Sequence, residues 1–75
     1  MSYDRAEKRF LAQLGRNIRK VREAKGWSQE ELAFQCGLHR TYISDIERGS
    51  RNVSALNLRR IARALEVTVS DIFPA

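Results

Sequence analysis

The sequence predicts an all-α fold, a compact bundle of five helices. Its apolar residues recur at helical rather than alternating spacing, and strand signals are scarce throughout the 75 residues. Capping residues and glycine stops then divide the chain into five helical segments joined by about three to six residues. We therefore expect a single domain over residues 1–75.

The first two helices are predicted from apolar spacing and from their end signals. The first spans about residues 5–25 and stops at Gly26, and its inward side is formed by Phe10, Leu11, Leu14, Ile18 and Val21. The second begins after Ser28, which is expected to form a capping box with Glu31, while Trp27 and Leu32 occupy the positions of a hydrophobic staple. It ends at Gly37, and its buried side is formed by Leu32, Ala33 and Cys36.

Three shorter helices follow. The third covers about residues 40–48, is anchored inward by Ile43 and Ile46, and stops at Gly49. Ser54 caps the fourth, whose i, i+3, i+4, i+7 stripe consists of Leu58, Ile61, Ala62 and Leu65. Thr68 and Asp71 resemble a second capping box, which predicts a fifth helix ending near Phe73.

Composition restricts the function classes. The chain has 43% hydrophobic and 31% charged residues, as a soluble globular protein does. No apolar run approaches the length of a membrane span, and the N-terminus is too charged for a signal peptide. We therefore expect a cytoplasmic protein. One cysteine, Cys36, and one histidine supply neither a disulfide, a metal cluster nor a nucleophile–base set, so we expect no enzyme, metal or cofactor. The net charge of +5 favours a polyanionic partner.

The stretch from Gln29 to Arg48 predicts a helix-turn-helix. Counted from Gln29, small or apolar residues occupy the positions that this motif requires: Leu32, Ala33, Cys36, Gly37, Leu38, Ile43 and Ile46. Ala33 is small where the two helices cross, and Gly37 tolerates a positive φ at the corner. The second helix of the motif then keeps a hydrogen-bonding face free for a DNA major groove, formed by Arg40, Thr41, Ser44, Asp45 and Arg48.

Nearly the whole chain resembles the Cro/repressor-type helix-turn-helix family, also called the Xre family. The resemblance lies in "RNIRKVREAKGWSQEELAFQCGLHRTYISDIERG", "SALNLRRIARALEV" and "VSDIF". Within that family, "LHRTYISDIERGSRNVS" is most similar to the controller proteins of restriction–modification systems. The resemblance implies a lambda-repressor-like fold and a homodimer on paired palindromic operators of double-stranded DNA, regulating its own gene and an endonuclease gene.

The DNA-contacting residues are assigned partly from chemistry and partly from the resemblance. Arginine is the usual reader of guanine, and the resemblance implies base or near-base contacts for Arg40, Thr41 and Tyr42, with Ser44 and Asp45 close by. It also implies a phosphate contact for Gln29, at a helix N-terminus. Three residues that follow the recognition helix are expected to flank the DNA backbone: Arg51, Asn52 and Asn57.

Several of these side chains have alternative interpretations. Asp45 either accepts from cytosine or orients an arginine, and His39 either caps its helix poorly or donates to a phosphate. Arg48 contacts phosphate or is simply solvated, and Arg51 could also reach base edges. Tyr42 could pack its ring and offer only its hydroxyl, to a phosphate. The resemblance pairs Arg22 with Glu47 in an internal salt bridge.

Other conspicuous residues are given structural roles. The cations of the first helix are interpreted as a solvated face: Arg5, Lys8, Arg9, Arg16, Arg19, Lys20 and Lys25. Cys36 is expected to be a small core residue, and Trp27 and Phe34 are expected to pack rather than to stack on bases. Glu30 and Glu31 have two interpretations. They form an acidic patch that contacts RNA polymerase, or they simply stabilise the N-terminus of their helix, where negative charge is favourable.

One helix-turn-helix reads only a few base pairs, so a two-fold dimer is expected, with recognition helices about 34 Å apart. By resemblance its interface lies in the C-terminal region, and the apolar residues proposed for it are Leu56, Val69, Ile72 and Phe73. Two alternatives remain for function: a stand-alone Xre-type repressor, and an antitoxin-like module that binds another protein.

Overall fold

Five α-helices make up the regular structure of residues 2–75, which a computed structural model describes. They are α1 (Arg5–Ala24), α2 (Gln29–Cys36), α3 (Arg40–Glu47), α4 (Ala55–Leu65) and α5 (Val69–Ile72). The residues described contain no strand, which confirms the all-α prediction, and the molecule measures 32 × 24 × 20 Å. None of the helices described is long and apolar enough to cross a membrane.

The core lies where all five helices meet. Its fully buried side chains come one or two from each helix: Ile18, Leu32, Ile43, Ile46, Ile61 and Ile72. Both α1 and α2 pack against α3, and α4 packs against α2. This arrangement holds α3 from behind and leaves its outer side in solvent, as the helix-turn-helix prediction requires.

The helix ends follow the predicted caps with two differences. Ser28 accepts a 3.0 Å hydrogen bond from the backbone of Glu31, but the Glu31 carboxylate binds Gln35, so the predicted box has only one of its two bonds. The box of Thr68 and Asp71 forms completely. A further complete box, Asp4 with Glu7, begins α1 and was not predicted.

Two glycines allow α1 to approach α3 closely. A Cβ on Gly15 would lie 2.3 Å from the Ile46 carbonyl oxygen, so only glycine fits beside the end of α3. Gly49, at φ +74, would place a Cβ 2.7 Å from Ala12 Cα. The backbone that follows α3 therefore lies directly against the middle of α1.

Three predicted packing or interface roles are wrong. Phe34 is 80% exposed, because it lies on the side of α2 opposite Leu32. Phe10 is 38% exposed and makes an edge-to-face contact with Phe73, with ring centroids 5.2 Å apart. Ile72 is fully buried, so its side chain belongs to the protomer core and is not available to a dimer surface.

Candidate nucleic-acid interface

The turn between α2 and α3 fixes the position of the recognition helix. Ala33 is buried at the crossing, and Gly37 ends α2 in the left-handed conformation, with φ 71°. The backbone N–H of Leu38 then donates to the Ala33 carbonyl at 2.9 Å, which closes the corner. The roles predicted for the small residue and for the glycine are both confirmed.

Helix α3 has one buried face and one polar face. Ile43 and Ile46 are completely enclosed, so the helix cannot rotate without opening the core. On the outer face, Arg40, Thr41 and Arg48 are exposed, while Ser44 and Asp45 are half-buried. The structure thus brings together, on one face of α3, five of the residues for which a DNA contact is proposed.

Asp45 connects three of the polar side chains on this surface. Its carboxylate binds Arg48, and it lies 3.6 Å from the Arg51 guanidinium. Arg48 also donates to the Ser44 hydroxyl at 2.9 Å. Of the two interpretations of Asp45, this geometry agrees with the one in which it orients neighbouring arginines.

A second group surrounds Tyr42. The Arg51 guanidinium carbon lies 4.8 Å from the centroid of the half-buried Tyr42 ring, in a cation–π contact. The Asn57 amide donates to the Tyr42 hydroxyl at 3.1 Å, which ties the start of α4 to α3. Arg51 is therefore held between a ring face and the Asp45 carboxylate, a contact that sequence spacing did not reveal.

Gln29 is positioned by the buried ion pair behind α3. Its side-chain amide donates to Glu47 Oε1 at 3.0 Å, and the same oxygen accepts from Arg22 at 3.0 Å. The hydrogen bond to Glu47 raises the pKa of Arg22, against the opposing effect of burial. One N–H of the Gln29 amide remains for a partner outside the protein, such as a phosphate oxygen.

The remaining predicted residues lie in two places. His39 begins α3 without a side-chain cap bond and lines one surface depression with Thr41, Tyr42, Arg51 and Asn57. Asn52 is exposed but lies apart from that group, beside Glu7 and Leu11 near the start of α1.

Three of the residues proposed for a dimer interface are accessible. Leu56 is 57% exposed, Phe73 is 46% exposed, and Val69 is also at the surface. Arg59, one turn after Leu56 on α4, lines the same depression as Val69. Val69 borders Arg59 on one side and Phe73 on the other, so these two proposed interface residues lie together near the junction of α4 and α5.

The chemistry of the site is that of hydrogen bonding and charge. Within residues 2–75 no cluster of His, Cys, Asp and Glu is arranged to hold a metal ion. Cys36 is half-buried, and burial raises the pKa of its thiol, so it is a poor nucleophile at neutral pH.

Comparison with known proteins places this arrangement in a family. The helix-turn-helix model HTH_3 matches residues 18–72. The control protein C.BamHI of Bacillus amyloliquefaciens is 56% identical over 59 residues, which are 77% of this chain and 73% of that protein.

Solved structures agree with this result. The restriction–modification controller protein C.AhdI of Aeromonas hydrophila superposes with a TM-score of 0.83 at 46% identity, covering 84% of this chain and 96% of that one. The controller protein C.Esp1396I, solved as a tetramer with its natural 35-base-pair operator, gives a TM-score of 0.75 at 46% identity. That match covers 79% of this chain and 78% of the other. The chain described here therefore belongs to the helix-turn-helix family HTH_3.

Proposed function

We propose that this protein is a sequence-specific regulator of transcription that binds double-stranded DNA as a homodimer. The observation that carries the proposal is the two-sided character of α3. Ile43 and Ile46 fix one side in the core, while the other side presents donors and acceptors of the kind that read base edges. A helix needed only for packing has no use for such a surface.

The role of each residue follows from its place. Arg40 and Thr41, exposed in the first turn of α3, are the residues proposed to reach base edges. Gln29, Arg48 and Arg51 are proposed to contact phosphates on either side and so to fix the register of the helix in the groove. Their positions at the start of α2, at the end of α3 and in the following loop allow them to bracket the recognition helix.

The biological role proposed is that of a restriction–modification controller. C.BamHI, C.AhdI and C.Esp1396I, which carry that designation, share 46–56% identity with this chain. C.Esp1396I was solved on its operator as a tetramer, which supports an operator with paired palindromes here. The genes controlled would be those of the restriction–modification system, including the regulator's own.

Selection of bound duplexes from a random-sequence DNA pool, at near-physiological salt, tests the function. We expect a palindrome whose half-sites are about one helical turn apart, since a two-fold dimer separates its recognition helices by about 34 Å. Two adjacent copies of that palindrome agree with a controller, and a single copy agrees with a stand-alone repressor. Failure to enrich any motif contradicts sequence-specific binding and favours the protein-interaction alternative.

A further inference from the structure

Four cations on α1 form a stripe that the recognition site does not use. Five cations of α1 lie within about 60° of Ala12 around the helix axis, at 100° per residue. The last of them, Arg19, is paired with Glu23, and the other four are Arg5, Lys8, Arg9 and Arg16. We call these four residues the basic stripe. They are all exposed, and the stripe is about 17 Å long at 1.5 Å per residue.

The basic stripe is electrostatically uncompensated. The ion pairs within residues 2–75 join other cations to carboxylates: Arg19 to Glu23, Arg22 to Glu47, Lys25 to Glu66, and Arg48 and Arg51 to Asp45. Among the four stripe residues, only Arg16 has a hydrogen-bonded side-chain partner, the neutral amide of Gln13.

Like charges at i and i+4 repel each other along a helix, as Arg5 and Arg9 do here. The stripe therefore does not stabilise α1. An anionic partner would relieve this repulsion.

The fold joins this stripe to the recognition surface. Gly49, two residues before Arg51, lies against Ala12 on the same side of α1 as the stripe. Arg51 in turn lies 3.6 Å from Asp45, on the outward face of α3. The loop that carries Arg51 therefore starts against the same side of α1 as the stripe.

We propose that the basic stripe is a second phosphate-binding surface, which contacts the DNA backbone beyond the half-site read by α3. The inference rests on the proposed function and extends it, because it assigns α1 to the flanking DNA. These contacts are independent of base sequence. They add affinity by counterion release, and they lengthen the duplex that each protomer covers.

Salt dependence of binding tests the proposal directly. The variants are Lys8→Gln and Arg9→Gln, and the control is Lys25→Gln, which removes one charge at the C-cap of α1, about 140° from Ala12 around the helix axis. The probe is a random-sequence duplex of about 40 base pairs, long enough for two half-sites with flanks. It is titrated by fluorescence anisotropy between 50 and 200 mM salt, and binding to it does not depend on finding an operator.

The stripe variants are expected to lower the slope of log affinity against log salt by about 0.9 for each protomer. The control should leave that slope unchanged. Melting of the free variants by circular dichroism should match or exceed that of the parent, since a repulsive charge is removed.

Unchanged slopes for Lys8→Gln and Arg9→Gln overturn the proposal. An equal change of slope in Lys25→Gln also overturns it, because the effect then comes from the net charge of the protein and not from local phosphate contacts. A failure of the proposed function shows itself separately, as the absence of an enriched DNA motif while these slopes still differ.

Discussion

Arg22 of α1 and Glu47 of α3 form a buried ion pair through two parallel hydrogen bonds, of 2.7 and 3.0 Å. Both residues are only 8% exposed. Arg22 also donates to the Trp27 carbonyl at 2.6 Å, and Glu47 accepts from Gln29. The pair thus connects the first helix, the start of α2 and the end of the recognition helix.

Removal of one partner of this pair should be costly. Glu47→Ala leaves the Arg22 charge buried without its counterion, and we expect the free energy of unfolding to fall by about 3 kcal/mol. Urea denaturation measures it. Glu23→Ala is the control, because it breaks only the exposed pair with Arg19 and should cost less than about 1 kcal/mol. Equal losses in the two variants contradict the buried-pair interpretation.

Gly15 should tolerate no side chain. In Gly15→Ala the new methyl group meets the carbonyl oxygens of Ile46 and Glu47, at 2.3 and 2.6 Å, and α1 must move away from α3. We expect a loss of about 1–3 kcal/mol in the free energy of unfolding, with weaker DNA binding. Gly26→Ala is the control, because a Cβ there meets no atom within 4 Å while the backbone has φ +75. Its loss of stability therefore measures backbone strain without a steric clash. Unchanged stability of Gly15→Ala contradicts the close approach.

Asp45 should restrain the arginines of the interface. Asp45→Asn keeps the shape of the side chain but removes the charge that holds Arg48 and Arg51. We expect tighter binding to duplexes of any sequence, a steeper salt dependence and poorer discrimination between a selected site and a scrambled one. Anisotropy titrations on both duplexes measure these effects. Asp71→Asn is the charge-matched control on α5, and a similar gain there indicates that net charge alone is responsible.

The cap of α5 should be sensitive to acid. A backbone hydrogen bond from Thr68, 2.8 Å long, lowers the pKa of Asp71 below its ordinary value. Because the folded pKa is the lower one, this stabilisation is complete above the unfolded pKa of about 3.9 and disappears as the pH falls through the folded value. Asp71→Asn should therefore unfold more easily than the parent at pH 7 and equally easily in strong acid. A difference that persists in acid contradicts this cause.

The sequence predicted the helices and the motif because caps, glycine stops and apolar spacing are local signals. Their bounds agree to within a residue or two, and the left-handed Gly37 follows directly from the motif. The errors occur where the signal is short. Helix α5 has only four residues, about one turn, so its apolar residues do not repeat and no periodicity shows which of them faces inward. A shift of one residue decides whether Ile72 or Phe73 enters the core.

Side-chain contacts between residues that are distant in the sequence could not be predicted either. The hydrogen bond from Gln29 to Glu47 spans 18 residues, and it depends on how α1 sets the distance between two helices. The stacking of Arg51 on Tyr42 depends on the path of a loop. The exposure of Phe34 could have been found, since it lies about 200° from Leu32 around α2.

Phe73 should be necessary for self-association. It is 46% exposed, borders Val69 and contacts Phe10, so it contributes accessible apolar area at the proposed dimer surface. Phe73→Ser should convert a dimer into a monomer in sedimentation at tens of micromolar, and should weaken binding to a palindromic duplex more than to one half-site. Phe34→Ser is the control, because it removes the same group from a more exposed position on α2. If Phe34→Ser dissociates the dimer and Phe73→Ser does not, the two-fold interface lies on α2, and the spacing of the recognition helices must be derived anew.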